Sequence, residues 1–281
     1  MRDRIDRIIA RGKLDSLAGA LDGAKVRDVR YAADRLVEAA GDGQVVLKHI
    51  RDLVVQKDSA SLHLACQLVP ACYRHDAKPA LKLLQRLADD ADWTVRDAAA
   101  ETCGRLLRND FTEMLGPLRE WREHASVNVR RAVVIAASRA ARPDRLERAE
   151  PLLKLLEPLL SDQDPTIRRN LGPSALGGSL LRSYPMNAFE YLVQWSTSNE
   201  PSVLWNVAMA FSAPPAGPIA KKALIVLRKL SLDERRPVWR AVSSAMWKLG
   251  RHSPEIVRPE LMRWLEDERR VEVAREALKH I

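Results

Sequence analysis

Residues 95–99 of the chain read Val-Arg-Asp-Ala-Ala: an aliphatic anchor, two residues that are often basic elsewhere in the chain, and small apolar residues. This pattern recurs, and the anchors of its eight copies are Val29, Leu62, Val95, Val129, Ile167, Val203, Val238 and Val273. Subtracting successive anchor numbers gives 33, 33, 34, 38, 36, 35 and 35 residues. A period of this length is typical of repeats built from a pair of helices.

Turn-forming residues precede several anchors, as in 89–92 (DDAD), 161–165 (SDQDP) and 198–201 (SNEP). Asp, Ser and Asn cap helix N-termini, and proline is tolerated in the first turn, so each anchor is predicted to open a second helix. The segments between carry leucines at helical spacing, and none alternates like a strand. We predict an all-α, right-handed α-solenoid of about eight HEAT-like helix pairs with a concave basic face. It forms a single domain over residues 1–281; an ordinary helical bundle is the alternative.

The chain is basic, with 46 Lys and Arg against 37 Asp and Glu, a net charge of +9 and a pI near 9.7. Such an excess favours a polyanionic partner, although it also serves solubility. No apolar run approaches the roughly 18 residues of a membrane span, and the N-terminus lacks a signal peptide's apolar stretch. Cys66, Cys72 and Cys103 show neither disulfide nor zinc spacing and are predicted to pack in the core. We therefore expect a cytoplasmic protein without membrane or metal partners.

Arginine is frequent at the two positions after the anchors. In a stack of repeats these positions form a row along the inner face, at helix starts where backbone N–H groups already favour phosphate. The alternative is that each arginine pairs with an acid of a neighbouring repeat. The row predicts a duplex DNA surface made of Arg30, Arg96, Arg130, Arg168, Arg169, Trp205 and Arg240.

Three further side chains are predicted to converge within this row. Trp93 and Asp97 lie four residues apart and share one helix face. Asp97 and Arg131 occupy the same position in consecutive repeats, so they should be adjacent. An aromatic ring, a carboxylate and a guanidinium would then meet in a basic groove. The alternative is a structural tryptophan beside an ordinary ion pair.

These residues carry a resemblance to a known family. The segments 92–97 (DWTVRD), 129–133 (VRRAV) and 159–169 (LLSDQDPTIRR), together with Trp121, resemble the AlkD-type HEAT-like DNA alkylation repair proteins. The resemblance runs from about Leu81 to Trp195. It implies an alkylpurine DNA glycosylase that acts on duplex DNA without a cofactor, and such a protein can work as a monomer.

The resemblance also implies a role for each side chain of the motif. Trp93 would pack on the deoxyribose of a lesion, Asp97 would support cleavage of the N-glycosidic bond, and Arg131 would hold a backbone phosphate. A purine alkylated on a ring nitrogen is already cationic, so its departure needs no general acid of the kind that most glycosidic cleavages require. One carboxylate that stabilises positive charge on the sugar would then suffice.

One departure from the family pattern concerns lesion capture. The family places a second tryptophan on the helix after Ile167, where this chain has Gly172-Pro173. These residues are predicted to kink or interrupt that helix, and Trp205 is the candidate substitute one repeat later. Two alternatives follow: a relative that binds DNA without excision, and a HEAT-repeat scaffold that binds proteins.

Overall fold

All regular structure within the described residues is helical. The computed structural model describes residues 1–280, and no strand occurs in that range. The all-α prediction is confirmed. The chain divides into two compact units, one spanning Met1–Ala136 and the other starting at Ala137. The single domain over residues 1–281 stays a prediction. The right-handed path of the solenoid and its concave face also stay predictions.

The first unit contains the helices up to α9, which runs across the unit boundary. Within it the second helices of successive pairs lie side by side, α3 against α5 and α5 against α7. Its helices are α1 (Arg2–Ala10), α2 (Leu14–Leu21), α3 (Val26–Ala40), α4 (Gly43–Gln56), α5 (Ser59–His75), α6 (Ala77–Ala88), α7 (Trp93–Asn109), α8 (Phe111–Trp121) and α9 (Val127–Ala140).

The second unit mixes α-helices with short segments of other helix types. Its α-helices are α10 (Ala149–Leu156), α11 (Pro165–Asn170), α12 (Leu181–Ser183), α13 (Pro185–Trp195), α14 (Pro201–Ala210), α15 (Ala220–Leu230), α16 (Arg236–His252), α17 (Pro254–Leu265) and α18 (Val271–Leu278). Its other segments are the 3-10 helices Leu146–Arg148, Glu157–Ser161 and Pro214–Ile219 and the π-helix Leu171–Leu180.

The eight anchors of the repeated pattern are all buried, and each lies two or three residues after the first residue of a helix. Those helices are the second members of eight pairs: α3, α5, α7, α9, α11, α14, α16 and α18. The apolar anchor therefore fixes each second helix against the core, as the period predicted. The helix starts also follow local signals: the Asp92 carboxylate accepts from Thr94 N at 2.8 Å, and Asp164 accepts from Thr166 N at 2.7 Å.

The three cysteines lie in the core as unpaired thiols, as predicted. Burial raises the pKa of Cys66 to about 12 and that of Cys72 to about 11. At neutral pH these side chains are protonated and behave as small apolar groups.

The sequence predicts that Gly172-Pro173 kinks or interrupts its helix, and the α-helix α11 does end at Asn170, just before these residues. The chain does not leave the helix, however; it continues as a π-helix over Leu171–Leu180 and passes directly into α12. Proline lacks the N–H that an α-helical ladder needs. A change to the wider π geometry, which is rare and often found at functional sites, keeps the segment helical.

Two glycines let the π-helix lie directly on the backbone of α14. A Cβ at Gly172 would come within 3.0 Å of the Asn206 carbonyl oxygen, and one at Gly177 would overlap the carbonyl oxygen of Ala210. At Gly178 the nearest atom would be the Pro173 carbonyl oxygen at 3.5 Å, an ordinary contact. Gly172 and Gly177 are therefore required by helix packing, whereas Gly178 is not.

We predict that Gly177→Ala lowers the free energy of unfolding by about 1–3 kcal/mol, because the added methyl group overpacks the contact with α14. Gly178→Ala is the matched control and should be neutral or stabilising by up to about 1 kcal/mol, since alanine is favoured over glycine in helices. Urea denaturation followed by circular dichroism measures both. Equal changes in the two variants would show that the close approach is not present in solution.

Candidate functional site

Trp93 is the first residue of α7 and its side chain extends into solvent. The residue is 65% exposed, more than an aromatic residue of the core would be. Its place in the first turn follows from the Asp92 cap, which starts the helix there. The indole is therefore not part of the core, and its role beside the ion pair of Asp97 and Arg131 stays a prediction.

Asp97 lies one turn after Trp93 and pairs with α9. Arg131 Nη2 donates a hydrogen bond of 2.5 Å to Asp97 Oδ1. The Arg131 side chain is 18% exposed and the Asp97 side chain 43%. Asp97 Oδ2 has no hydrogen-bond partner within residues 1–280. The predicted adjacency is confirmed, and the carboxylate is held through one oxygen while the other stays free for a ligand.

Arg96 and Arg130 close the turns that precede their own helices. Arg96 Nη1 donates to the carbonyl oxygens of Asp90 and Ala91, both at 2.7 Å. Arg130 repeats this arrangement with the carbonyls six and five residues before it, at 2.9 and 2.8 Å. The guanidiniums satisfy turn carbonyls that have no helical partner. Sequence reasoning missed this function, and the DNA contact of both arginines stays a prediction.

The turn before α7 is also joined to the turn before α9. The Asp89 carboxylate accepts hydrogen bonds from Ser126 Oγ and, at 2.9 Å, from Asn128 Nδ2. The Ser126 hydrogen bond is the main cause that lowers the pKa of Asp89. The carboxylate therefore stays ionised well into the acidic range and holds the two turns together.

Arg30 lies exposed at the start of α3, without a hydrogen bond in the described chain. Burial of Arg105, and next the charge of Arg30, lower the pKa of the Arg105 guanidinium. The carboxylates of Asp34 and Glu101 act on Arg105 in the opposite direction. Arg30 and Arg105 are therefore close enough for their charges to interact.

In the second unit the predicted DNA contacts Arg168 and Trp205 contact each other. The Arg168 guanidinium carbon lies 4.5 Å from the centre of the Trp205 ring, a cation–π contact. Arg168 Nε is buried without a hydrogen-bond partner, and burial lowers the pKa of this arginine. One face of Trp205 is thus covered, which limits its use as a substitute for the second tryptophan.

The two remaining predicted contacts of the second unit are exposed. Arg169 Nε donates to the Pro165 carbonyl oxygen at 3.3 Å within its own helix. Arg240 lies 5.9 Å from the ring centre of its neighbour Trp239. Their DNA contacts also stay predictions.

Within residues 1–280, no three His, Cys, Asp or Glu side chains come together so as to hold a metal ion. None of the helices in this range combines the length and the apolar character needed to cross a membrane.

Comparison with known proteins gives one family. A sequence profile described as "DNA alkylation repair enzyme" matches residues 19–177, more than half of the chain and including the Trp93, Asp97 and Arg131 positions. No curated protein matches the chain.

The chain is also similar to solved structures of designed or engineered proteins. One is a designed armadillo repeat protein in complex with the peptide (KR)4, at 18% identity and a TM-score of 0.38, with 78% of this chain and 98% of that chain covered. Another designed armadillo repeat protein has 18% identity and a TM-score of 0.33, with coverages of 72% and 98%. An engineered protein has 17% identity and a TM-score of 0.36, with coverages of 99% and 80%.

We predict that Arg96→Ala lowers the free energy of unfolding by about 1–2 kcal/mol, because two turn carbonyls lose a charged donor. Arg30→Ala is the control in the same unit, and we expect a change below about 0.5 kcal/mol for this exposed and unpaired side chain. Chemical denaturation of both variants tests this. A loss no larger in Arg96→Ala than in Arg30→Ala would mean that the arginine does not stabilise the turn.

Proposed function

Because the chain belongs to the family of DNA alkylation repair enzymes, we propose that it hydrolyses the N-glycosidic bond of cationic N3- or N7-alkylated purines in duplex DNA. The observation that supports this most directly is the arrangement of Asp97. Its carboxylate is bonded to Arg131 through one oxygen, is 43% exposed, and lies one helical turn from the exposed ring of Trp93.

The substrate class follows from the small number of groups at this site. When the bond between C1′ and the base nitrogen breaks, its electron pair moves to the base. An alkylated purine that starts as a cation leaves as a neutral base, so no proton has to be supplied to the leaving group. Cleavage of ordinary glycosidic bonds uses a second carboxyl group as general acid. The proposed mechanism uses one carboxylate, that of Asp97, which matches a base that leaves unaided.

Asp97 would act on the sugar. As the base departs, positive charge develops on the deoxyribose ring, and a carboxylate stabilises that charge. Two opposite unit charges 4 Å apart attract by about 4 kcal/mol at an effective dielectric constant near 20, against about 1 kcal/mol in water. A duplex that covers the site and excludes water therefore strengthens this interaction. Water then adds to C1′, and Asp97 accepts its proton.

Trp93 and Arg131 would position the nucleotide. The exposed indole offers an apolar surface for the deoxyribose. Arg131 uses one of its five N–H groups on Asp97. The other donors can hold a backbone phosphate while the ion pair stays intact, so that phosphate binding and orientation of the carboxylate are linked through one guanidinium.

The duplex would be held mainly through its phosphates, which makes binding weakly sequence-selective and strongly dependent on salt. The proposed complex needs neither a cofactor nor a metal ion and contains one copy of the chain. The proposed contacts are Arg30, Arg96, Arg130, Arg168, Arg169, Trp205 and Arg240. Of these, Arg96 has guanidinium N–H groups on Nη2 and Nε besides the Nη1 that donates to the two turn carbonyls.

A second candidate function is DNA binding without excision. It is favoured by Gly172-Pro173 at the position of the second tryptophan and by the cover that Arg168 places on Trp205. Both features weaken lesion capture and leave phosphate binding unaffected. The remaining alternative is a HEAT-repeat scaffold that binds proteins. It would differ from both DNA-binding functions in having low affinity for any DNA duplex.

We predict that Asp97→Asn slows release of 7-methylguanine and 3-methyladenine from methylated DNA by at least about a hundredfold, because the amide cannot stabilise the sugar cation. Duplex affinity should stay close to that of the wild type. Asp144→Asn is the matched control: this exposed carboxylate also pairs with an arginine, Arg142, but lies outside the proposed site. Single-turnover base release measures all three proteins. Equal rates for the wild type and Asp97→Asn would remove Asp97 from the mechanism.

Arg131→Ala and Arg168→Ala should each weaken binding to undamaged duplex and reduce the slope of log affinity against log salt by about one. The reason is the loss of one phosphate contact per substitution. Fluorescence anisotropy over a series of salt concentrations gives the slopes. Slopes unchanged from the wild type would assign both arginines to packing.

A further inference from the structure

The first unit contains a small cavity between its first four helices. The cavity encloses about 230 Å³ and is lined by residues of α1, α2, α3 and α4 and of the turn after α1. None of the residues proposed to contact DNA lines it. An apolar cavity of about 150 Å³ is large enough to bind benzene. The volume therefore suits a small organic molecule.

The walls of the cavity are mostly apolar. Leu17 and Leu36 belong to the buried core, whereas Ile9 and Leu14 are half-buried and Val45 is exposed. Apolar side chains that stay in contact with water favour a ligand that covers them. Each CH₂ group that a ligand buries raises its affinity by about fourfold.

One charged side chain, that of Lys13, lines the cavity in the part of the chain that the structure describes. Its place is set by the end of α1, where Gly12 has a left-handed φ of 65° and donates to the Ile9 carbonyl oxygen at 2.9 Å. Lys13 is exposed, and its ammonium group has no ion pair or hydrogen bond within residues 1–280. A free cation thus lies where the cavity meets solvent.

His49 is the second polar residue of the lining. Its Nδ1 is buried without a hydrogen-bond partner, and its Nε2 has none within residues 1–280 either. A neutral imidazole carries one N–H group and one lone pair. Polar groups away from water are usually paired, so this ring lacks an acceptor for its N–H group that a ligand oxygen can supply.

We propose that this cavity, defined by Ile9, Lys13, Leu36, Ala40 and His49, binds a small amphipathic carboxylate with a chain of about six to eight carbons. The chain lies against the apolar wall. The carboxylate stays at the rim beside Lys13, because taking an ionised group fully out of water is costly. The proposal is independent of the proposed function and involves neither DNA nor base release.

Other classes of ligand fit the cavity less well. A cationic molecule is repelled by Lys13. A neutral apolar molecule gains nothing from the free ammonium group and leaves the imidazole of His49 without an acceptor. A DNA phosphate has no apolar part that can enter the cavity. An anion with an apolar chain uses both the wall and the rim.

The test measures binding of octanoate and of octanol, its neutral analogue, to the full chain by isothermal titration calorimetry. Ala40→Leu fills the cavity, and Lys13→Gln removes its charge. Lys25→Gln is the matched control, because Lys25 is an exposed lysine of the same unit that does not line the cavity. Circular dichroism verifies the fold. Lys13→Gln changes an exposed side chain, so the test of charge does not depend on how Ala40→Leu folds.

We expect the wild type to bind one octanoate with a Kd of about 0.1–1 mM and hexanoate at least about tenfold more weakly, since two CH₂ groups are lost. Ala40→Leu should weaken binding of octanoate and octanol alike by at least about tenfold. Lys13→Gln should weaken binding of octanoate by about two- to fivefold, as for a partly exposed ion pair, and leave octanol unchanged. Lys25→Gln should match the wild type.

Three results would overturn the proposal. The first is a wild type that shows no saturable binding of octanoate up to about 10 mM, well above the expected Kd. The second is wild-type affinity for octanoate in folded Ala40→Leu, which would place the ligand elsewhere. The third is a loss of octanoate affinity in Lys13→Gln no larger than that in Lys25→Gln, which would remove the anionic group from the recognised chemistry.

Discussion

The guanidinium of Arg96 folds back onto two carbonyls of the turn before α7, and Arg130 does the same before α9. Asp89 then joins the two turns. These bonds fix where each helix starts, and the starts bring Asp97 opposite Arg131. A partly exposed ion pair contributes only about 0–1 kcal/mol and could not align two helices by itself. The Asp97–Arg131 pair is therefore a consequence of the turns.

Much of the fold could be predicted because its signals are local or periodic. A buried aliphatic anchor about every 35 residues and a capping aspartate before the helix locate helix starts from the sequence. The adjacency of Asp97 and Arg131 followed from their equivalent positions in consecutive repeats. The π-helix was not predicted, because Gly172 and Pro173 indicate a break unless the α14 backbone that receives them is known.

The arginines after the anchors show why the roles of the site residues were harder to predict. At the position directly after the anchor, Arg96 donates hydrogen bonds to turn carbonyls, whereas Arg168 contacts an aromatic ring. At the following position, Arg131 forms an ion pair. The difference depends on which groups surround each guanidinium in the folded protein. Residue type and spacing do not predict those groups. In the proposed function, the chemistry depends on side chains of the first unit.

The central claim is that the chain breaks a glycosidic bond, so the most direct measurement is of its products. Wild-type protein is incubated with methylated duplex DNA, and the small molecules are separated from the DNA and identified by mass spectrometry. The account predicts free 7-methylguanine and 3-methyladenine together with an equal number of abasic sites in the DNA. Methylated bases that all stay attached to DNA bound by the protein would contradict it.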